Sequence, residues 1–271
     1  MSKVMVTGGK GFIGRSVCDI LTQRGHEAVS LDRDNGDIRD YESVERVGEG
    51  AKHVIHLAGV LGTHELFDTP QLAIDVNITG SKNILEFCRH HGASYTGITM
   101  PQVFPSLYTA SKIATTAFAT AYHHTHGVPV SHVRAFNAFG PGQAHGEGHP
   151  QKIVPTFAHN TWRGIPVPIW GDGTQTVDLI YTPDIARMLV DAMKFGDDVT
   201  FDGGTGRAFT VNEVLNMVAH IAGTHPDPQY LPMRRGEIPT HIVATGEGWD
   251  RLDWSPEFRF QDLVETVKSY R

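Results

Sequence analysis

Short runs of β-branched and apolar residues alternate along the first half of the chain with longer stretches whose apolar positions recur every three to four residues. The short runs predict strands over 4–7, 28–31, 53–57, 96–99 and 130–134. The longer stretches predict helices beginning near Phe12, Tyr41, Gln71 and Tyr108. Right-handed strand–helix–strand crossovers place helices on both faces of a parallel sheet, so the expected fold class is α/β, with a doubly wound parallel sheet. After Gly140 the alternation fails. Segments 155–163 and 211–221 keep the helical period, and 231–245 reads as extended chain broken by turn residues. The expected organisation is a sheet domain over 1–140 and a smaller carboxy-terminal lobe from 141–177 and 203–271. A helix at 184–193 and a strand at 199–201 would return 178–202 to the sheet domain.

With 271 residues the chain can bury an extended core without covalent staples. Its two cysteines, Cys18 and Cys88, lie far apart and outside any Cys-x-x-Cys spacing, which argues against a disulfide framework or a thiolate zinc site. A formal charge of -7 without basic blocks argues against nucleic acid as a partner. The amino terminus turns from Lys3 straight into an apolar strand, leaving no room for a signal segment. No apolar run approaches the roughly 20 residues of a membrane-spanning helix. A cytoplasmic protein without a membrane partner is the expectation.

The first strand runs into Thr7-Gly-Gly-Lys-Gly-Phe-Ile-Gly14 and then a helix. Gly8, Gly11 and Gly14, with Phe12 and Ile13 between them, give the Rossmann spacing: a pyrophosphate needs close backbone approach and a helix amino terminus. The same glycines could serve only a tight turn, but Asp32 follows at the end of the second strand, where a carboxylate accepts from a ribose 2′-hydroxyl. That carboxylate would also repel a 2′-phosphate, so NAD is expected rather than NADP, with Arg33 beside it as the contrary signal. Asp37 and Ile38 are candidates to cover an adenine. Leu57, Ala58 and Gly59 end the third strand at the sheet edge where ligands bind.

Tyr108 and Lys112 stand four apart at the start of a helix and therefore share a face. An ammonium there should lower the phenol's pKa and make Tyr108 an acid/base group near neutral pH. Together with the glycine motif, this pair resembles the extended short-chain dehydrogenases, specifically the NAD-dependent epimerase/dehydratase family. The resemblance extends through Asn77-Ile-Thr-Gly80, Arg134-Ala-Phe-Asn137-Ala-Phe-Gly140-Pro141-Gly142, Gly171-Asp-Gly-Thr-Gln-Thr-Val-Asp178 and Arg234-Arg-Gly-Glu237. It implies a nucleotide-sugar epimerase in which Tyr108 takes a proton from a sugar hydroxyl while Lys112 also holds the nicotinamide ribose. It further places Asn77 at the cofactor, and Asn137 and Arg234 at the diphosphate end of a substrate, where Lys152 could add charge.

Four positions depart from the family pattern. Met100 occupies the place of a substrate-facing Ser or Thr, and a thioether cannot donate. Thr99 is the nearest substitute, although adjacent strand residues point to opposite faces unless the strand ends irregularly. Pro101 and Gln102 replace the acid pair of the dehydratases, and Val177 replaces an arginine that grips the diphosphate. Two other readings therefore stay open beside the epimerase: an NAD-dependent sugar dehydrogenase, reductase or decarboxylase, and a cofactor-binding regulatory module. The sixteen histidines lack the imidazole–carboxylate pairing of a zinc site, and no metal is expected. Ala110, Ala114, Ala117 and Ala121 form a small-residue stripe on the Tyr108 helix. The resemblance implies that this helix, with the one near 71–88, builds a homodimer interface.

Overall fold

The computed structural model describes residues 1–62, 64–101 and 105–271, so Gln102 lies outside the described residues. In chain order the elements are β1 (Lys3–Thr7), α1 (Phe12–Gln23), β2 (Glu27–Leu31), α2 (Tyr41–Gly48), β3 (His53–His56) and α3 (Pro70–Ala73). A π-helical segment, Ile74–Gly80, joins α3 to α4 (Ser81–His91), followed by β4 (Ser94–Thr99), α5 (Leu107–His126), β5 (Val130–Ala135) and β6 (Asn137–Phe139). The second half holds α6 (Ile153–Arg163), β7 (Val167–Trp170), β8 (Thr176–Tyr181), α7 (Thr182–Ala192), β9 (Asp197–Gly203), β10 (Ala208–Thr210), α8 (Val211–Ala222), β11 (Pro228–Leu231) and α9 (Phe260–Lys268).

Six strands form one parallel sheet in the order β2-β1-β3-β4-β5-β9. Side chains alternate across it as a pleat requires: Val4, Val6 and Ile55 enter the core beneath α1 and α7, whereas Met5 and Val54 enter the opposite core beneath α2 and α4. The central strands are therefore apolar on both faces, which is why they read as unbroken hydrophobic runs. Strand order reverses between β1 and β3, and the crevice above their carboxyl ends is where such sheets bind ligands.

A third core, built from Phe139, Phe157, Leu179, Phe209, Val214 and Leu263, lies under a small sheet of β10-β8-β6 and a β11-β7 pair. Asp178 ties the connections of this region together. Its buried carboxylate accepts from Thr205 N (2.7 Å), Thr205 Oγ1 (2.8 Å), Gly206 N (2.8 Å) and Ala244 N (2.9 Å). Of the segment expected as extended chain over 231–245, only Leu231, at the end of β11, and a bridge from His241 to Thr176 are ladder-paired.

Candidate active site

The glycine turn is shaped by contacts that exclude side chains. Gly8 has φ +74°, a left-handed conformation that glycine alone adopts freely, and its N–H donates to Leu31 O at 2.9 Å. A Cβ on Gly14 would stand 2.1 Å from the Gly8 carbonyl, so α1 can lie this close to the turn only with glycine there. Asp32 at the end of β2 accepts the Lys10 amide at 3.1 Å and the Ser30 hydroxyl. The turn and Asp32 line one cavity of about 820 Å³, together with Phe12, Ile13, Asp37, Ile38, Leu57, Ala58 and Gly59. Asp37 also pairs with Arg39 at 2.6 Å, and that hydrogen bond holds its carboxyl below the usual carboxylate range.

Asn77 does not line the cavity. It is buried behind the wall, where Oδ1 accepts Val60 N at 2.8 Å and Nδ2 donates to Val60 O at 3.1 Å and to Ser111 Oγ at 2.9 Å. Its geometry is that of a brace for the 57–60 backbone and for α5, in place of the direct cofactor contact expected from the sequence.

Helix α5 starts where the Ser106 hydroxyl caps the Thr109 amide at 3.0 Å. Tyr108 and Lys112 then face the cavity side by side along the helix, and Thr99 and Met100 at the end of β4 line it too. Tyr95 and Thr99 face the α4–α5 side of β4 while Ile98 packs into the core under α1 and α7, so Thr99 lines the cavity with the strand still in regular alternation. Thr116, one further turn along α5, places its hydroxyl 2.9 Å from Thr99 Oγ1. A reading by residue spacing did not single out Thr116, because nothing in the sequence links it to β4.

The electrostatics correct one expectation. Burial pushes the Tyr108 phenol up to about 12, and the Lys112 ammonium does not offset it. Lys112, only 6% exposed, is itself brought down to about 8 by burial. Both shifts have one cause, the removal of water from the charged forms.

At the far end of the cavity lie Asn137, Lys152 and Gln143, the last unmarked by the motifs. Burial lowers the pKa of Lys152, the Glu65 charge opposes that shift and Arg234 adds to it. Arg234 stands apart from the cavity lining: it pairs with Glu237 at 2.6 Å and lies over the Trp170 ring at 5.4 Å. Its charge nonetheless reaches Lys152 in the cavity wall. Among the described residues no group of three or more His, Cys, Asp or Glu could hold a metal ion, and no helix is long and apolar enough to cross a membrane.

A profile of the NAD dependent epimerase/dehydratase family matches residues 4–202. The chain belongs to that family. It is accordingly an NAD-dependent enzyme, and the doubly wound sheet and glycine turn are the family's framework. UDP-glucuronate 4-epimerase of Thermodesulfobacterium geofontis is 26% identical over 313 residues, spanning 98% of this chain and 95% of the relative. Among solved structures, UDP-glucose 4-epimerase of Thermus thermophilus, in complex with NAD, is 29% identical with a TM-score of 0.86 over 99% of both chains. The UDP-glucose 4-epimerase of Thermotoga maritima, with UDP-glucose, is 28% identical with a TM-score of 0.88, covering 99% of this chain and 98% of that one.

Proposed function

We propose that the chain is a nucleotide-sugar epimerase that inverts C4 of the sugar through a transient keto intermediate. The observation that carries this reading is the opening of Tyr108, Lys112 and Thr99 into the same cavity as the glycine turn and Asp32. The cavity suits a dinucleotide: a Cβ at Gly14 would fill the turn, and Asp32 presents a carboxylate where a ribose would lie. NAD, when bound, supplies the hydride acceptor and donor for the sugar carbon. Gly8, Gly11, Phe12, Ile13 and Gly14 hold its pyrophosphate, and Asp37 and Ile38 its adenine.

Tyr108 is the acid/base group: as the phenolate it takes the proton of the sugar hydroxyl, and as the phenol it returns it. Burial opposes the phenolate, so Tyr108 rests as the phenol, and Lys112, one turn along on the same helix face, holds the nicotinamide ribose. Thr99 donates to the reacting oxygen in place of the hydroxyl that Met100 lacks. The Thr116 hydroxyl stands 2.9 Å from Thr99 Oγ1 and 3.0 Å from the Lys112 carbonyl, and so holds Thr99 in place against α5. Lys152 and Asn137 meet the diphosphate. Residues 1–140 with 178–202 act as the dinucleotide unit, and 141–177 with 203–271 as the substrate lobe.

Leu107, Ile113 and Phe118 expose apolar surface on α5, and Ile74 adds to it from the π-helical segment, which supports a homodimer through this face. The free thiols Cys18 and Cys88 suit a reducing, cytoplasmic setting.

The test is a panel of UDP-, dTDP- and GDP-sugars followed by the NMR signals of their anomeric protons, with NAD release on heating measured in parallel. Epimerisation should fall about 10²- to 10⁴-fold in Tyr108→Phe with NAD retained. Accumulation of NADH at 340 nm would instead select net dehydrogenation, which Met100 favours. A silent panel would sink the nucleotide-sugar reading.

A further inference from the structure

Beneath the cavity runs a chain of buried hydrogen bonds whose direction can be assigned group by group. Thr7 Oγ1, at the end of β1, receives Leu57 N at 3.2 Å and Ala58 N at 3.1 Å. With both lone pairs occupied, its own proton goes to His56 Nδ1, 2.7 Å away. Nδ1 is therefore bare, and His56 carries its proton on Nε2, which donates to Ser81 Oγ at 2.8 Å. The Ser81 hydroxyl in turn donates to the Asn77 carbonyl, which also accepts from Thr115 Oγ1 at 3.0 Å. From Asn77 the path divides, reaching Val60 on one side and Ser111 on the other, and Ser111 Oγ donates to the Tyr108 carbonyl at 2.8 Å.

Two independent features coincide on this path, and a third follows from the first. Thr7, His56, Ser81, Asn77, Ser111 and Thr115 are each no more than 3% exposed. Asn77 sits in the π-helical segment, an irregularity that often marks functional sites. The imidazole stays neutral, because burial, with the Lys112 charge added, brings it down to about 3. A neutral imidazole here is not a proton donor to substrate. It accepts from β1 on one side and donates to α4 on the other, so that one ring joins two elements.

We propose that His56 is a positioning residue which, locked as the Nε2–H tautomer, sets the 57–60 backbone against the dinucleotide and holds the first turn of α5, with Tyr108, in register. The second half of this role rests on the reading of Tyr108 as the acid/base group, whereas the first half needs only NAD binding. The two arms can be cut separately. An Asn side chain keeps an acceptor near the position of Nδ1 and loses the donor toward Ser81. A Gln side chain keeps that donor and loses the acceptor toward Thr7.

The experiment compares His56→Asn, His56→Gln, Thr7→Val and Ser81→Ala by NAD titration, thermal unfolding and amide hydrogen exchange, with ¹⁵N NMR of the wild-type imidazole. His56→Gln and Thr7→Val should bind NAD about tenfold more weakly, the scale of one lost buried hydrogen bond, and should exchange faster at 57–60. His56→Asn and Ser81→Ala should bind NAD within about twofold of wild type, leave Leu57 and Ala58 protected and exchange faster at Val60 and at 108–112, at a similar loss of Tm. A residue that merely filled space would give Asn and Gln variants with the same profile, and that result overturns the proposal. So does an imidazole protonated on Nδ1. Because none of these readouts needs a turned-over sugar, a failed substrate panel would leave this test standing and would be recognised as a failure of the nucleotide-sugar reading alone.

Discussion

Replacing Lys112 by Met should make the protein more stable at neutral pH while removing its activity. The Lys112 side chain is 6% exposed, and burial alone brings its ammonium from an ordinary 10.5 to about 8. At about 1.4 kcal/mol per tenfold, holding the charged form in the folded protein costs about 3 kcal/mol. Unfolded, Lys112 keeps its proton until about pH 10.4. Below pH 8 both states are protonated and the whole penalty acts on the folded state. Between about pH 8 and 10.4 the folded protein has lost the proton and the unfolded chain has not, so the unfolded state binds more protons and stability rises with pH. Methionine matches the aliphatic stem and carries no charge. Urea unfolding followed by tryptophan fluorescence from pH 6.5 to 9.5 should therefore show Lys112→Met ahead by about 3 kcal/mol at pH 7, with the gap narrowing as pH rises above 8. Titrations common to both proteins cancel in the difference. A variant no more stable than wild type at pH 7, or a gap that does not change with pH, would show that the ammonium is solvated or paired in the folded state, and the electrostatic description of the site would be wrong.

Other perturbations test separate parts of the structure. Gly14→Ala sets a methyl 2.1 Å from the Gly8 carbonyl, so α1 must move away from the turn; calorimetric titration should find NAD binding weakened at least about tenfold. Asp178→Asn puts an amide donor against groups that now donate four hydrogen bonds to a carboxylate. Unfolding should cost about 2–4 kcal/mol less, read by urea titration. Thr116→Val removes the hydroxyl 2.9 Å from Thr99; kcat should fall about tenfold with NAD affinity unchanged, and Thr116→Ser should restore it.

The first half of the fold was legible because its signals are local. Each βα unit carries its own period, and the glycines, Asp32, Tyr108 and Lys112 mark the ends of elements that a parallel sheet must bring to one edge. The second half was harder to read. β6 and β10 are three residues long and pair only through β8, some forty residues from one and thirty from the other, so no window of sequence contains their partners.

Within the site, residue types and spacing determined which chemical groups would meet around one cavity: glycines in a tight turn, a carboxylate at the end of β2, and a phenol and an ammonium on one helix face. Tertiary structure alone decided what surrounds them. It took Tyr108 largely out of water so that its pKa rises instead of falling, set the Thr99 hydroxyl against Thr116, and placed Asn77 behind the cavity wall and Arg234 against Glu237. Asp198 shows the same division. It has φ +59°, the one positive value for a non-glycine among the described residues, and occupies a bulge between β5 and β9, its carboxylate 3.3 Å from buried His132 and 3.1 Å from Thr120 on α5. Spacing along a helix or strand is fixed by bond geometry and can be read from the chain. Desolvation and non-local hydrogen bonds depend on what the rest of the chain packs around each group, and they exist only once it has folded.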